Sequence, residues 1–455
     1  MMVRHRAFLL AACLQAAGAP PALAQIGVPG LPPITLPTVP PVDERGRLRR
    51  SLDPGLAADA LVGARRAAID RLLRAHPRTL ARDPAGEPVV RGELLAIPSS
   101  QEMLAAILAA GFTLLRESDV EGLDARWLVL GVGRQAPAAA LARLRALDPA
   151  GHYDHHHLYT GSGDADASTP SPLAAAPRSV AATGKPEPAS TTGGEGAPVR
   201  IGLVDTGLDW THPALRRVAL REHGCADGLP HPSAHGTAVA SLLAGRDGVF
   251  RGAHPEAALH AVDVYCGAPT GGSAEQVARG LAWLARERIA VINISLVGPA
   301  NVLLERVVAA LVGRGHLLVA PVGNDGPAAA PLYPASWPGV VGVTGTDSGR
   351  RLLPEAGRGP QVMFAAPGAD LAAAASRDPR FVPVRGTSFA APTVAGLLAA
   401  RLAAPGRDAA AAALAALSAL ALDLGPAGRD PGFGQGLVGD DLRIDPRSLQ
   451  LARLP

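Results

Sequence analysis

Aromatic residues and lysine are scarce in this chain of 455 residues. Only 3% of the residues are Phe, Trp or Tyr, and Lys185 is the single lysine. Since 48% of the residues are hydrophobic, we expect a core that consists mainly of Ala, Leu and Val. The positive charge resides in dispersed arginines, and the formal net charge is +3. Because no basic stripe is interleaved with aromatic residues, we exclude nucleic acid as a partner.

Long apolar runs and acidic clusters are also lacking. Beyond the N-terminus the longest uncharged apolar run is 409–422, which is too short for a membrane span and predicts a core helix. We therefore expect no stable membrane span. Asp209 and Asp263 are single carboxylates, which we interpret as structural residues. The sequence predicts neither a metal site nor a cofactor.

The N-terminus has the pattern of an export signal. Arg4 and Arg6 precede a largely apolar stretch over 7–17, and Ala22-Leu23-Ala24 is a small-residue cleavage site. We interpret 1–24 as a signal peptide, which predicts a secreted or periplasmic bacterial protein. The alternative is a membrane anchor, which the short apolar stretch and the prolines that follow it disfavour.

The three cysteines add two open questions. Leu10-Ala11-Ala12-Cys13 resembles a bacterial lipobox, so lipid anchoring at Cys13 is a minor alternative. After export, Cys225 and Cys266 are the two cysteines of the mature chain. An oxidising compartment favours a disulfide between them, and two buried free thiols are the alternative.

Composition divides the chain into six parts. The predicted divisions are the signal peptide (1–24), a Pro-rich arm with an amphipathic helix (25–88), a small α+β domain (89–159), a flexible linker (160–198), an α/β domain (199–440) and a tail (441–455). Within 89–159 the pattern predicts β-α-β-β-α-β, a ferredoxin-like order, with the first helix capped by Ser99 or Ser100 and ended before Gly111. The run His155–His157 alternates between the two faces of a strand, so its rings do not converge on one metal ion.

From residue 199 onward, short apolar runs alternate with amphipathic helical patterns. This alternation predicts a doubly wound, mostly parallel sheet with helices on both faces. One of the helices begins with a capping box formed by Ser273 and Gln276. The strand-like runs are 199–204, 259–264, 291–294, 317–320, 340–343 and 362–365. Asp205 and Asn324 each follow such a run, and ligands of parallel sheets bind beyond the carboxyl ends of the strands.

Three polar residues provide the parts of a nucleophilic site. Asp205 lies in Val-Asp-Thr-Gly (204–207), His235 opens His-Gly-Thr-Ala-Val-Ala (235–240), and Ser388 lies in Gly-Thr-Ser-Phe-Ala-Ala-Pro (386–392). The imidazole would take the hydroxyl proton while the carboxylate orients the imidazole. Helical patterns follow both His235 and Ser388, and we place Pro392 in the first turn of the second helix.

These motifs, in the order Asp, His, Ser, resemble those of the subtilisin-like serine peptidases, the subtilases. Gly-Asn-Asp-Gly-Pro at 323–327 is similar to a fourth subtilase signature, which implies that Asn324 donates to the oxyanion together with the Ser388 backbone N–H. The resemblance covers about 199–440. It implies serine endopeptidase activity with Ser388 as nucleophile, His235 as general base and Asp205 as the residue that orients it.

The resemblance also assigns two neighbouring parts. The position of 89–159 resembles that of an inhibitory propeptide, which implies a zymogen that processes itself and binds its propeptide in cis. Ser295, Leu296 and Gly298 resemble the segment that borders the substrate cleft, although Val297 stands where the family usually has glycine. We expect a monomer that acts on proteins or peptides.

Two other classes of function fit the sequence less well. One is a catalytically inactive binding or scaffold protein on the same fold, which the correct residue types at all four catalytic positions disfavour. The other is an esterase, which would require a Gly-x-Ser-x-Gly elbow, whereas Phe389-Ala390 follow Ser388.

Overall fold

The computed structural model describes residues 54–120, 125–161, 164–165, 198–226, 228–229 and 231–451. The predicted signal peptide, the Pro-rich arm up to residue 53 and most of the predicted linker lie outside the described residues. The chain from Asp53 onward forms one compact unit. None of the helices in the described ranges is long and apolar enough to cross a membrane.

The N-terminal part of this unit is a helix followed by a small α+β layer. Its elements are α1 (Pro54–Ala75), β1 (Leu80–Arg82), β2 (Pro88–Ile97), α2 (Gln101–Ala109), β3 (Thr113–Val120), β4 (Ala125–Gly131), α3 (Pro137–Leu147) and β5 (His152–Gly161). The sheet is antiparallel with the order β5-β2-β4-β3, and β1 lies beside β2. This is the predicted ferredoxin-like arrangement. Ser100 caps α2 by accepting the Met103 N–H at 3.2 Å, and Gly111 follows with φ +95°.

The remainder of the unit surrounds a larger sheet. Its elements are β6 (Asp164–Ala165), β7 (Arg200–Asp205), β8 (Leu220–His223), α4 (Ala234–Ala244), β9 (Arg246–Asp247), β10 (Phe250–Arg251), β11 (Ala258–Asp263), β12 (Gly272–Ser273), α5 (Ala274–Arg286), β13 (Val291–Ile294), β14 (Leu296–Val297), α6 (Val302–Gly313), β15 (Leu317–Pro321), β16 (Val341–Thr346), β17 (Val362–Pro367), β18 (Leu371–Ala374), β19 (Phe381–Arg385), α7 (Thr387–Ala399), α8 (Arg407–Ser418), a 3-10 turn (Asp440–Leu442) and α9 (Pro446–Leu451).

The central sheet has seven parallel strands in the order β17-β16-β15-β13-β7-β11-β8. All six predicted strand runs are present. The edge strand β8 was not predicted, because three of its four residues are polar and no apolar pattern marks it.

Helices cover both faces of this sheet, as predicted. Leu203 of β7 faces α4 and α7, and Val204 faces α5 and α6, because successive residues of a strand point to opposite sides. The predicted capping box begins α5, where the Ser273 hydroxyl accepts the Gln276 N–H at 3.3 Å and the Gln276 side chain accepts the Ser273 N–H at 3.0 Å. These helices bury the sheet and leave its carboxyl edge to carry the site.

Candidate active site

Asp205 is the last residue of β7 and is fully buried at the carboxyl edge of the central sheet. Its Oδ1 atom accepts the Thr206 N–H at 2.7 Å and lies 2.8 Å from Nδ1 of His235. Because the carboxylate accepts this bond, the proton of the imidazole lies on Nδ1 and Nε2 is left as the base.

His235 lies in the first turn of α4 and turns its ring toward the start of α7. The ring centroids of His235 and Phe389 are 5.4 Å apart, and Phe389 directly follows Ser388. Among the described residues, Nε2 of His235 has no hydrogen-bond partner. It faces Gly161 of β5, since a Cβ atom built on Gly161 would lie 2.9 Å from it. The sheet edge therefore brings the acid, the imidazole and the start of α7 together.

Ser388 is the second residue of α7 and is fully buried. Its hydroxyl donates to the Ser295 carbonyl at 3.3 Å, and the Ser295 hydroxyl donates to the Ser388 carbonyl at 3.1 Å. The Ser388 hydroxyl is thus held at the wall of the cleft. Contacts between a nucleophile and its base often tighten only when substrate is bound.

Pro392 is the sixth residue of α7, so its predicted place in the first turn is wrong. Proline has no N–H for the carbonyl four residues earlier, which is that of Ser388. The Ser295 hydroxyl satisfies this carbonyl instead, and the Asn293 amide donates to the same hydroxyl at 2.7 Å. The proline is tolerated because the carbonyl that it leaves unbonded has a partner in the cleft wall.

Asn324 follows β15 and lies opposite the start of α7. Its side-chain oxygen accepts the backbone N–H of Thr387 at 3.0 Å and the Thr387 hydroxyl at 3.1 Å. These bonds orient the carboxamide so that its Nδ2 group is the remaining donor. The Ser388 N–H lies in the first turn of α7, where the helix dipole favours an anion. The arrangement offers the donors that a developing oxyanion requires.

Two short strands form the walls of a cleft beside His235, and the end of β5 lies between them. On one wall Gly272 of β12 is opposite Tyr159. On the other wall Leu296 of β14 is opposite Gly161. Both pairings are antiparallel, so the chain fills its own cleft as an added strand.

Gly298, the third predicted cleft residue, shapes a pocket and does not pair with β5. It exchanges two backbone hydrogen bonds of 3.0 Å with Tyr333. A Cβ atom on Gly298 would lie 2.7 Å from the Tyr159 ring, so glycine leaves the room that this ring occupies. The Tyr159 hydroxyl donates to the Pro299 carbonyl at 2.6 Å. Apolar residues line the pocket around the ring, namely Val277, Leu281, Ile294, Leu304 and Trp337.

The short strand β6 follows β5 in the chain and lies on the other side of Ser388. Asp164 lies opposite Arg385 and Ala165 opposite Val384 of β19, which leads directly into α7. At the start of the predicted 160–198 linker, residues 160–161 and 164–165 therefore belong to strands, since backbone pairing in the cleft extends β5 to Gly161 and orders β6.

Cys225 and Cys266 are joined in a disulfide with their Cα atoms 5.3 Å apart. Together with Asp263 they form a compact group of ligand-type side chains. Because the two sulfurs are bonded to each other, neither is a thiolate ligand. The Asp263 carboxylate is then the one side chain of this group that could bind a metal ion. Its Oδ1 atom accepts the backbone N–H groups of Tyr265 and Cys266 at 2.8 and 2.9 Å, and burial raises the pKa of Asp263.

Sequence reasoning missed two residues at the site. Thr387, which orients Asn324, stands inside the Gly-Thr-Ser segment, and its position next to the serine is the one signal that could have indicated it. Tyr265 reaches into the cleft from the loop after β11, and its hydroxyl accepts the Gly161 N–H at 2.9 Å. No pattern in the sequence marks a tyrosine in this role.

The fold and the site are those of a serine hydrolase built on a parallel α/β sheet. Residues 196–436 match the sequence profile of the subtilase family. The chain therefore belongs to the subtilase family and is a serine-type endopeptidase of the subtilisin kind.

Individual relatives agree with this placement. The chain is 29% identical over 221 residues to the major intracellular serine protease of Bacillus subtilis, covering 46% of this chain and 69% of that protein. It is 34% identical over 214 residues to subtilisin Savinase of Lederbergia lenta, covering 45% and 76%. Its fold is similar to that of fervidolysin from Fervidobacterium pennivorans, a keratinolytic enzyme related to subtilisin. The TM-score is 0.61 at 20% identity, over 80% of this chain and 61% of that one.

Proposed function

We propose that this protein is an exported serine endopeptidase that is made as a zymogen and cleaves its own chain. Ser388 attacks the peptide carbonyl while Nε2 of His235 takes the hydroxyl proton, and Asp205 holds the imidazole and stabilises its cation. His235 returns the proton to the leaving amine, and water then hydrolyses the acyl-enzyme. Asn324 and the Ser388 N–H stabilise the oxyanion.

The observation that carries this proposal is the path of the chain through its own cleft. β5 pairs with both cleft walls and ends at Gly161 against His235, and β6 begins at Asp164 beside the strand that precedes Ser388. A peptide substrate would bind by the same backbone pairing. We infer that 54–161 act as the inhibitory propeptide and that cleavage falls between Gly161 and Asp164.

Export is supported by two separate features. The charged-then-apolar pattern of 1–24 is that of a signal peptide. The Cys225–Cys266 disulfide is typical of an oxidising compartment. N-terminal sequencing of the protein outside the cytoplasm should give a start at residue 162, 163 or 164, and light scattering should give the mass of a monomer.

Ser388→Ala tests the catalytic assignment. The variant should stay uncut and should not react with a fluorophosphonate probe, because no hydroxyl is left to attack. Ser418→Ala, at the end of α8, is the matched control and should mature and react as the wild type does. A purified Ser388→Ala chain that still cuts itself between 161 and 164 would show the nucleophile to be another residue. A wild-type chain that never reacts with the probe would favour an inactive scaffold protein.

A further inference from the structure

The loop after β11 places a tyrosine hydroxyl against the chain in the cleft. Tyr265 Oη accepts the N–H of Gly161 at 2.9 Å. β12 pairs with β5 at Leu158 and Tyr159, and this ladder ends before Gly161. At Gly161, which lies against His235, the Tyr265 hydroxyl therefore accepts the hydrogen bond that a neighbouring strand would otherwise accept.

Three features hold Tyr265 in this position. The Asp263 carboxylate accepts the N–H groups of Tyr265 and Cys266 and closes a tight turn. Cys266 has φ +49°, a left-handed conformation that is uncommon for a residue other than glycine. Its side chain is bonded to Cys225, which ties the turn to a second loop. Since a tyrosine has few rotatable bonds, its hydroxyl is presented with little freedom left to lose.

The contact recognises the backbone of whatever chain lies in the cleft. Gly161 offers only its N–H to Tyr265, and any residue other than proline would offer the same group. A residue with a side chain would have to move slightly away from the His235 ring, because a Cβ atom at Gly161 would lie only 2.9 Å from Nε2. The tyrosine can therefore position the substrate backbone beside His235 through a hydrogen bond that does not depend on the side chain of the bound residue.

We propose that Tyr265 is a substrate-positioning residue, whose hydroxyl accepts the backbone N–H of the substrate residue that lies against His235. This inference depends on the proposed endopeptidase function. One hydrogen bond of this kind changes kcat/KM by about threefold to tenfold. Because the bond holds ground state and transition state alike, its loss should raise KM and leave kcat nearly unchanged.

The test combines Tyr265→Phe with a series of peptides of one sequence. A single N-methyl group is placed in turn on each of the four residues before the cleaved bond. One of these peptides carries its methyl group at the residue that matches Gly161. It therefore lacks the N–H that would donate to Tyr265 of the wild-type enzyme. Tyr265→Phe should lower kcat/KM about threefold to tenfold for every peptide except that one, for which the two enzymes should agree. Tyr333→Phe is the control, and any effect that it has should fall equally on all the peptides.

A second measurement needs no catalysis. In the uncut Ser388→Ala chain, adding Tyr265→Phe should speed hydrogen exchange of the Gly161 amide at least about tenfold and leave Leu158 unchanged. The inference is overturned if Tyr265→Phe lowers kcat/KM equally for all peptides, or if the exchange of Gly161 does not change. If the wild type cleaves none of the peptides, both the endopeptidase proposal and the positioning role of Tyr265 are wrong. Faster exchange of the Gly161 amide in Tyr265→Phe would even then support the contact between Tyr265 and Gly161.

Discussion

The two sheets of this protein are held against their surroundings in different ways. The core of the packing between the central sheet and α7 consists of apolar side chains, such as Leu203, Phe389 and Val394, and α7 has no charged side chain. The N-terminal sheet also places apolar side chains on α5 and α6, Trp127 among them. It adds charged and titratable contacts that the contact between the central sheet and α7 lacks. The first contact is suited to a permanent fold and the second to one that can be released.

Arginine and carboxylate pairs form one part of this releasable contact. Arg116 of β3 lies 2.6 Å from Glu93 of β2 and 2.9 Å from Glu275 of α5. Near the oxyanion segment, Arg65 of α1 lies 3.2 Å from Asp325, whose pKa is raised by burial. The Arg116–Glu275 and Arg65–Asp325 pairs connect the N-terminal part to the catalytic part, whereas Arg116–Glu93 lies within the N-terminal sheet.

The three consecutive histidines of β5 form the other part. Within the N-terminal part His156 lies 2.9 Å from Glu93 and His157 lies 3.2 Å from Asp83, and across the contact Nδ1 of His157 lies 3.0 Å from the Asn301 amide nitrogen. The His155 carbonyl accepts from the Asn301 amide at 3.0 Å, and burial lowers the pKa of the His155 ring. His156 and His157 are thus directed to different carboxylates and do not share one site. Because burial disfavours the charged form of the His155 ring, this residue makes the strand that enters the cleft sensitive to acid.

Asp205→Asn should have the largest effect on the rate of self-cleavage. It changes a residue of the central sheet, which belongs to the permanent contact. An amide would donate to Nδ1 of His235 and stabilise the wrong tautomer, so the rate of self-cleavage should fall on the order of 10⁴-fold. The thermal midpoint should change little, because the shape of the side chain is kept. The rate is measured by following the appearance of the cut chain. A loss below about tenfold would contradict the role of Asp205.

Asn324→Ala should come second. Removing the side-chain donor should slow self-cleavage about 10²- to 10³-fold, a range that comes from a subtilisin, which is itself a member of this family. Asn324→Asp keeps the oxygen that Thr387 binds but has no N–H, so it should be as slow as the alanine variant. An aspartate variant at wild-type speed would remove Asn324 from the oxyanion site.

The sequence was sufficient for the sheet and for the Asp205–His235 pair because both depend on local signals. Short apolar runs marked the central strands, and the motifs around Asp205, His235 and Ser388 stand at strand and helix ends. The N-terminal layer was readable for the same reason, from patterns such as the Ser100 cap and Gly111.

What the sequence did not yield depends on contacts between distant segments. Pro392 was placed in the wrong turn because its tolerance depends on Ser295, far away in the chain. Tyr265 was missed because its partner Gly161 belongs to the segment interpreted as linker. The strand β8 pairs through its backbone, which leaves no trace in side-chain pattern.

Arg116→Met should have a smaller effect than the variants at Asp205 and Asn324. It changes the releasable contact between the N-terminal sheet and α5. The variant keeps apolar bulk but leaves Glu275, which is nearly buried, without its cation. In the Ser388→Ala background, hydrogen exchange at residues 158–161 should speed up about fivefold, since a partly exposed charged pair is worth about 1 kcal/mol. Arg126→Met is the matched control, because the Arg126–Glu117 pair is exposed and lies within the N-terminal sheet. Equal exchange in the two variants would show that the contact between the sheets does not depend on this pair.

His260→Leu should have the smallest effect and tests whether acid also loosens the permanent side. His260 lies in β11 near Trp283, its Nδ1 has no partner among the described residues, and burial, with Arg200 and Arg221, lowers its pKa to about 4. In the unfolded chain the pKa is about 6.5, so between these values the unfolded state binds more protons. Stability from this group is therefore complete above about pH 6.5 and is lost as the pH falls toward 4.

The measurement is the free energy of unfolding of Ser388→Ala with and without His260→Leu at pH 7 and pH 5. After allowance for solvent screening, the leucine variant should lose about 1 kcal/mol less over this interval than the parent chain does. An equal loss in both chains would place the acid sensitivity elsewhere, with His155 of β5 as the first candidate. The contrast between a permanent and a releasable contact would then be sharper, because the titrating group would lie at the contact that the proposed self-cleavage would release.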